Sequence, residues 1–73
     1  MIGDHVQISP GAILAGNVNI DEGTVVGMGS RIIEGVTIGK YCMIGAGSIV
    51  TKNVPDNSLV IGNSSKKVGK WLK

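Results

Sequence analysis

Hydrophobic positions recur every six residues from the start of the chain to residue 50. Large aliphatic residues form one set, and smaller residues form a second set four places after each of them. The side-chain pattern of a β-strand repeats every second residue and that of an α-helix every 3.6 residues, so neither explains a period of six. Both sets of residues are predicted to point inward. The larger set is Ile2, Ile8, Leu14, Ile20, Val26, Ile32, Ile38, Ile44 and Val50, and the smaller set is Val6, Ala12, Val18, Thr24, Ser30, Val36, Cys42, Ser48 and Val54.

Glycine and polar residues fall between the inward positions, as in Gly16-Asn17 and Glu22-Gly23. Tight corners need backbone angles that Gly and Asn adopt easily. Each hexad is therefore predicted to form one short strand and one corner, and successive coils stack about 4.8 Å apart as a parallel β-helix. Three hexads make one coil, so the hexads predict a triangular prism of about three coils in which residues 18 apart lie above one another.

The hexads predict a β-helix over residues 1–57, which closes with a turn at Asn53-Val-Pro-Asp-Asn57. Residues 58–73 are predicted to add a last partial strand over 58–61 and a C-terminal capping helix over 64–73. In that helix Ser64 or Ser65 is the N-cap, and apolar side chains cover the end of the prism. These are Val68, Trp71 and Leu72.

The opposite end of the predicted prism has no such cap. The first hexad follows Met1 directly, which leaves an unpaired strand edge of the kind that solenoids normally cover. We therefore expect either a longer protein of which this is the C-terminal part or a partner that covers the edge.

Composition narrows the function classes. The formal net charge is +2, and four of the seven basic residues lie in the last eight positions. Trp71 is the one aromatic residue among them and no long basic run is present, so nucleic-acid binding is not predicted, and a solvated terminal helix explains the charge. No apolar run reaches the roughly 20 residues of a membrane span, and no signal peptide is recognisable. Cys42 is the single cysteine, so an intramolecular disulfide is excluded, which fits a cytoplasmic setting. Its place in the inward set of smaller residues predicts a buried structural thiol.

Four stretches carry a resemblance to a known family. They read IGDHVQISPGAILAGNV over 2–18, GVTIGK over 35–40, IGAGSIVTKNVPDN over 44–57 and GNSSK over 62–66. Together they resemble the hexapeptide-repeat acyltransferases, in particular the C-terminal part of the sialic-acid and bacillosamine type sugar O/N-acetyltransferases. The resemblance covers almost the whole chain and implies a left-handed β-helix, whereas the usual crossover preference is right-handed.

The resemblance also implies a function. Proteins of this family are homotrimers that bind acetyl-coenzyme A (acetyl-CoA) in a groove between neighbouring prisms and transfer the acetyl group to an amino or hydroxyl group of a sugar. They usually carry a nucleotide-sugar-binding domain before the prism. By resemblance, the cofactor-binding positions of this chain are Gln7, Gly16, Met28, Ala46 and Lys66.

The family's catalytic His would lie in a coil before Met1, and its second His matches Gln7. His5 is the one imidazole of the chain and so the candidate catalytic base, with a solvated corner residue as the alternative. Whether the chain is an enzyme is therefore left open. The zinc site of the related γ-class carbonic anhydrases needs three His ligands, so no metal is expected.

Pro10, Met28 and Ala46 stand 18 residues apart and are predicted to line one edge of the prism. We expect the backbone amides of Gly29 and Gly47 to be accessible there to the pantetheine amides, with Lys66 meeting a phosphate. The alternative is that corners simply tolerate small or flexible residues.

The outward positions divide into three faces. One is polar, with Gly3, Asn19, Asp21, Thr37 and Gly39; a second exposes Val25 and Met43; and a third exposes Ile13, Ala15, Ile33 and Ile49. Apolar outer faces predict a buried interface and hence a trimer. Two hypotheses stand: an acetyl-CoA dependent acetyltransferase or its C-terminal fragment, and a non-catalytic trimerisation prism, either a degenerate remnant or the tail of a nucleotidyltransferase.

Overall fold

The structure, a computed structural model, describes residues 1–62 and a strand at 67–70. Ten short strands follow one another with a corner after each. They are β1 (Gln7–Ile8), β2 (Ile13–Leu14), β3 (Asn19–Ile20), β4 (Val25–Val26), β5 (Arg31–Ile32), β6 (Thr37–Ile38), β7 (Met43–Ile44), β8 (Ile49–Val50), β9 (Ser58–Val60) and β10 (Lys67–Lys70).

The strands form three sheets, which are the three sides of the prism. Their orders are β1-β4-β7-β9-β10, β2-β5-β8 and β3-β6, and every pair except β9 with β10 is parallel. Gln7 pairs with Val25 and Asn19 with Thr37, each partner standing 18 positions further on. The predicted left-handed parallel β-helix of about three coils is confirmed.

The two inward sets form the core. Ile20, Ile38 and Ile44 are essentially inaccessible to solvent, and the first coil is more open, with Ile8 42% exposed, because no described residue lies beneath it. Buried hydroxyls satisfy their hydrogen-bonding groups locally, as where the Ser30 hydroxyl donates to the carbonyl of Gly45 at 2.8 Å. Among the described residues, no buried side-chain nitrogen or oxygen lacks a partner.

The third coil is two residues shorter than predicted. Val54 pairs with Ile38, 16 positions earlier, so it continues the column of large residues and does not belong to the smaller set. Two polar side chains take part in the ladder at this point: Asn53 Oδ1 accepts from the N–H of Thr37 and Asp56 Oδ1 from the N–H of Lys40, both at 2.8 Å. Because side chains reach these amides, the backbone can shorten its path.

The predicted C-terminal helix is wrong over 67–70, where β10 runs antiparallel to β9. Strand β9 is the last parallel strand of its sheet, so its outer backbone groups need partners, and a returning strand supplies them. Val68 and Gly69 are also poor helix formers. The partial strand predicted over 58–61 is observed at Ser58–Val60, whereas residues 64–66 and 71–73 lie outside the described residues.

Candidate functional site

The Met28 edge, which consists of Pro10, Met28 and Ala46 with the glycines that follow them, is a stack of tight turns. Gly11, Gly29 and Gly47 have φ of 78°, 69° and 71°. The N–H of Ser30 donates to the carbonyl of Gly27 at 3.2 Å, and the N–H of Ser48 to that of Gly45 at the same distance. This closure with a positive φ at the third residue is the type II β-turn, which favours glycine there.

The prediction that the amides of Gly29 and Gly47 are accessible is wrong. The N–H of Gly29 donates to the carbonyl of Pro10 at 3.1 Å, and the N–H of Gly47 donates to that of Met28 at 2.8 Å. The turns are thus joined by a backbone ladder along the edge. The amides of Met28 and Ala46 make no hydrogen bond with residues 1–62. Both residues are exposed, and together with the N–H of Gly11 these amides are the donors that the edge offers to a ligand.

Gly16 lies on a different edge from Met28 and Ala46. Its carbonyl accepts from the N–H of Gly35 at 3.0 Å, one coil above, and Asn17 beside it has a φ of 59°. Gln7 is exposed on β1, beneath Val25. A single prism therefore does not bring Gly16 together with the Met28 edge. Lys66 lies outside the described residues.

His5 is placed on the third edge, which also holds Gly23 and Tyr41. It is exposed, has a φ of 59° and forms no hydrogen bond with residues 1–62. The described residues include no cluster of His, Cys, Asp and Glu that could hold a metal ion. No described residue orients this exposed imidazole toward a substrate.

Tyr41 is the neighbour of that imidazole two coils above. Its hydroxyl donates to Glu22 Oε2 at 2.9 Å. This hydrogen bond, the negative charge of Glu22 and desolvation all raise the pKa of the Tyr41 phenol. The phenol is therefore protonated at neutral pH and contributes no base to this edge.

Cys42 is buried as predicted. Its N–H donates to the Thr24 hydroxyl at 3.1 Å, and its thiol lies 3.1 Å from the carbonyl oxygen of Pro55. Burial raises the pKa of the thiol, with a weaker contribution of the same sign from Asp56. A buried thiol that holds its proton is a structural group and not a nucleophile.

Sequence reasoning gave no role to Arg31, which the structure places on the outer surface beside the Met28 edge. Its partners in the central strand β5 are Ile13 below and Ile49 above. The available signal was a single cation in an outward column that is otherwise aliphatic.

The family described as bacterial transferase hexapeptide (six repeats) matches residues 17–52. The chain belongs to this hexapeptide-repeat transferase family. Among curated relatives, serine acetyltransferase 4 of Arabidopsis thaliana is 38% identical over an alignment 77 residues long. The alignment covers 94% of this chain and 22% of that protein. The chain spans about a quarter of the length of the curated relatives it matches.

Two solved structures of the family are similar to this chain. The serine acetyltransferase of Neisseria gonorrhoeae superposes with a TM-score of 0.93 at 31% identity, over 99% of this chain and 31% of that one. A mutant GDP-perosamine N-acetyltransferase of Caulobacter crescentus was solved in complex with CoA and GDP-perosamine. It superposes with a TM-score of 0.63 at 33% identity, over 94% of this chain and 41% of that one. Within the part of the chain that the structure describes, no helix is long and apolar enough to cross a membrane.

Proposed function

We propose that this chain is the acetyl-CoA-binding β-helix of a sugar O- or N-acetyltransferase. The observation that carries the proposal is the Met28 edge, where exposed turns repeat at the coil spacing and leave the amides of Met28 and Ala46 without a partner among residues 1–62. The similarity to a perosamine N-acetyltransferase that binds CoA supports both the cofactor and the acceptor class.

The pantetheine arm of acetyl-CoA is a linear chain with two amide groups, and it fits an edge that offers donors one coil apart. The N–H groups of Met28 and Ala46 would donate to its carbonyl oxygens. Gln7 would hydrogen-bond an amide or the thioester carbonyl, and Lys66 would meet a phosphate. The acetyl group would leave the thioester sulfur for the amine or hydroxyl of the acceptor.

A homotrimer would complete this site. Gly16 is on another edge of the prism, so it reaches a ligand on the Met28 edge only from a neighbouring copy. Three triangular prisms packed around a three-fold axis do not fill all the space between them. A groove therefore remains between neighbouring copies. Two apolar outer faces provide contact surfaces, and Ile13 is 56% and Ile33 43% exposed on one of them. A cytoplasmic setting is part of the proposal, because acetyl-CoA is the donor.

The experiment is calorimetric titration of the parent chain and edge variants with acetyl-CoA. We expect Met28→Trp and Ala46→Trp to lose most of the affinity because an indole occupies the path of the pantetheine arm. Lys40→Trp is the matched control, since Lys40 is exposed in a corresponding turn of the Tyr41 edge. If both edge variants bind acetyl-CoA as the parent does, the site is elsewhere.

The second candidate function is a trimerisation prism without catalysis. It is favoured by Gln7, which stands at the position of the family's second His and cannot accept a proton at neutral pH. A stable trimer that shows no heat of acetyl-CoA binding would support this candidate over the first.

A further inference from the structure

Arg31 occupies a position that its neighbours do not explain. It is the first outward residue after the turn at Met28, and in the coils below and above the same place is taken by Ile13 and Ile49. The isoleucine face consists of Ile13, Ala15, Ile33 and Ile49 around Arg31, and Thr51 continues its second column above Ile33. A cation in such a row is costly in an interface unless an anion meets it.

Arg31 has no anionic partner in the part of the chain that the structure describes. Its side chain is exposed, and no ion pair or side-chain hydrogen bond links it to residues 1–62. The nearest carboxylate in sequence is Glu34, which belongs to the next corner, on the Gly16 edge. On the second face, the outward residues Gln7, Val25, Met43 and Leu59 include no acid.

The backbone of Arg31 is firmly held. Strand β5 is the central strand of its sheet, and the N–H of Arg31 donates to the carbonyl of Ser48 at 2.8 Å. Directly before it, the Ser30 hydroxyl donates to the carbonyl of Gly45. The Arg31 side chain therefore starts from an ordered backbone position next to the Met28 edge. It is long enough for the guanidinium to reach an adjacent coil.

We propose that Arg31 binds a phosphate group of the acyl-CoA that lies along the Met28 edge. The proposal rests on the proposed function, and it adds a residue for the nucleotide end of the cofactor. Guanidinium and phosphate oxygens form paired, charge-assisted hydrogen bonds, which are stronger than those between neutral groups. Of the described side-chain cations, Lys40 is on the Tyr41 edge and Lys52 is on the Gly16 edge, so Arg31 is the one beside the Met28 edge.

The test compares three ligands that differ in phosphate content: acetyl-CoA, its 3′-dephospho form and S-acetylpantetheine, which has none. Affinities are measured by calorimetry for the parent, Arg31→Gln, Arg31→Lys and Lys40→Gln. Arg31→Gln should weaken acetyl-CoA binding about ten- to hundredfold, as expected for a hydrogen bond to a charged group. Arg31→Lys should retain part of the affinity, and Lys40→Gln, which removes the same net charge elsewhere, should bind as the parent does.

The ligand series identifies the phosphate. A loss in Arg31→Gln that persists with the dephospho form assigns the diphosphate, and a loss that disappears assigns the 3′-phosphate. The inference is overturned if Arg31→Gln binds acetyl-CoA as the parent does, or if it weakens S-acetylpantetheine equally. It is also overturned if light scattering shows a changed molecular mass for Arg31→Gln, because Arg31 is then a contact between copies. A parent chain that binds none of the ligands refutes the proposed function itself.

Discussion

The ring of Tyr41 lies over Gly23, in the coil below, and occupies the space that a β-carbon on Gly23 would need. Gly23 also has a φ of 72°, which side chains disfavour. We expect Gly23→Ala to lower the free energy of unfolding by about 2–4 kcal/mol, through the combined cost of backbone strain and overpacking. Urea denaturation followed by circular dichroism measures this.

Gly35→Ala is the matched control for that substitution. Gly35 has a φ of 80°, and a β-carbon there would meet no atom within 4 Å. It should therefore cost only the backbone strain, about 1–2 kcal/mol. In a Tyr41→Ala background the cost of Gly23→Ala should fall to that of Gly35→Ala. Equal costs for the two glycines in the parent would show that the ring moves away freely.

The isoleucine face should hold the proposed trimer together. Ile33→Glu places a charge on an apolar surface, and light scattering should then report the monomer mass of 7.5 kDa in place of three times that value. Thr37→Glu adds the same charge to the polar face and should leave the trimer intact. A parent chain that is monodisperse as a monomer would refute the interface.

Burial of Cys42 predicts a loss of stability at alkaline pH. Its thiol has a folded-state pKa above its usual value of 9.0, so the unfolded chain releases the proton first. Stability is fully present below the unfolded pKa and is lost as pH rises through the folded pKa. The free energy of unfolding should fall as the pH rises above the usual thiol value of 9.0, and the fall should be smaller in Cys42→Ala. Parallel pH profiles for the two proteins would contradict the assignment.

Turnover by these 73 residues should be absent even where binding is retained. Acetyl transfer needs a base near the acceptor, and His5 is exposed without an orienting partner among residues 1–62. We expect no sugar acetylation above background in a thiol-release assay with amino-sugar and sialic-acid acceptors. Robust turnover in the parent that disappears in His5→Ala would instead establish His5 as the base.

The six-residue period determined the coil architecture by itself. Inward side chains at fixed spacing can be buried only if coils stack in register, which is why Ile20 and Ile38 lie where the sequence predicts. The same register placed Met28 and Ala46 on one edge and Cys42 against Thr24. These features depend on local spacing, which the sequence carries directly.

The tertiary structure decided the features that depend on competition for hydrogen bonds. The sequence marks Gly29 and Gly47 as corner residues, but only the stacked turns show that their amides are used within the edge ladder. The side-chain acceptors of Asn53 and Asp56 replace backbone acceptors and shorten the third coil. Residues 67–70, which the sequence predicts as helix, form a strand because they pair with the open edge of β9. In each case the hydrogen-bond partner lies in another coil or strand. A periodic pattern does not specify which of several possible groups forms that hydrogen bond.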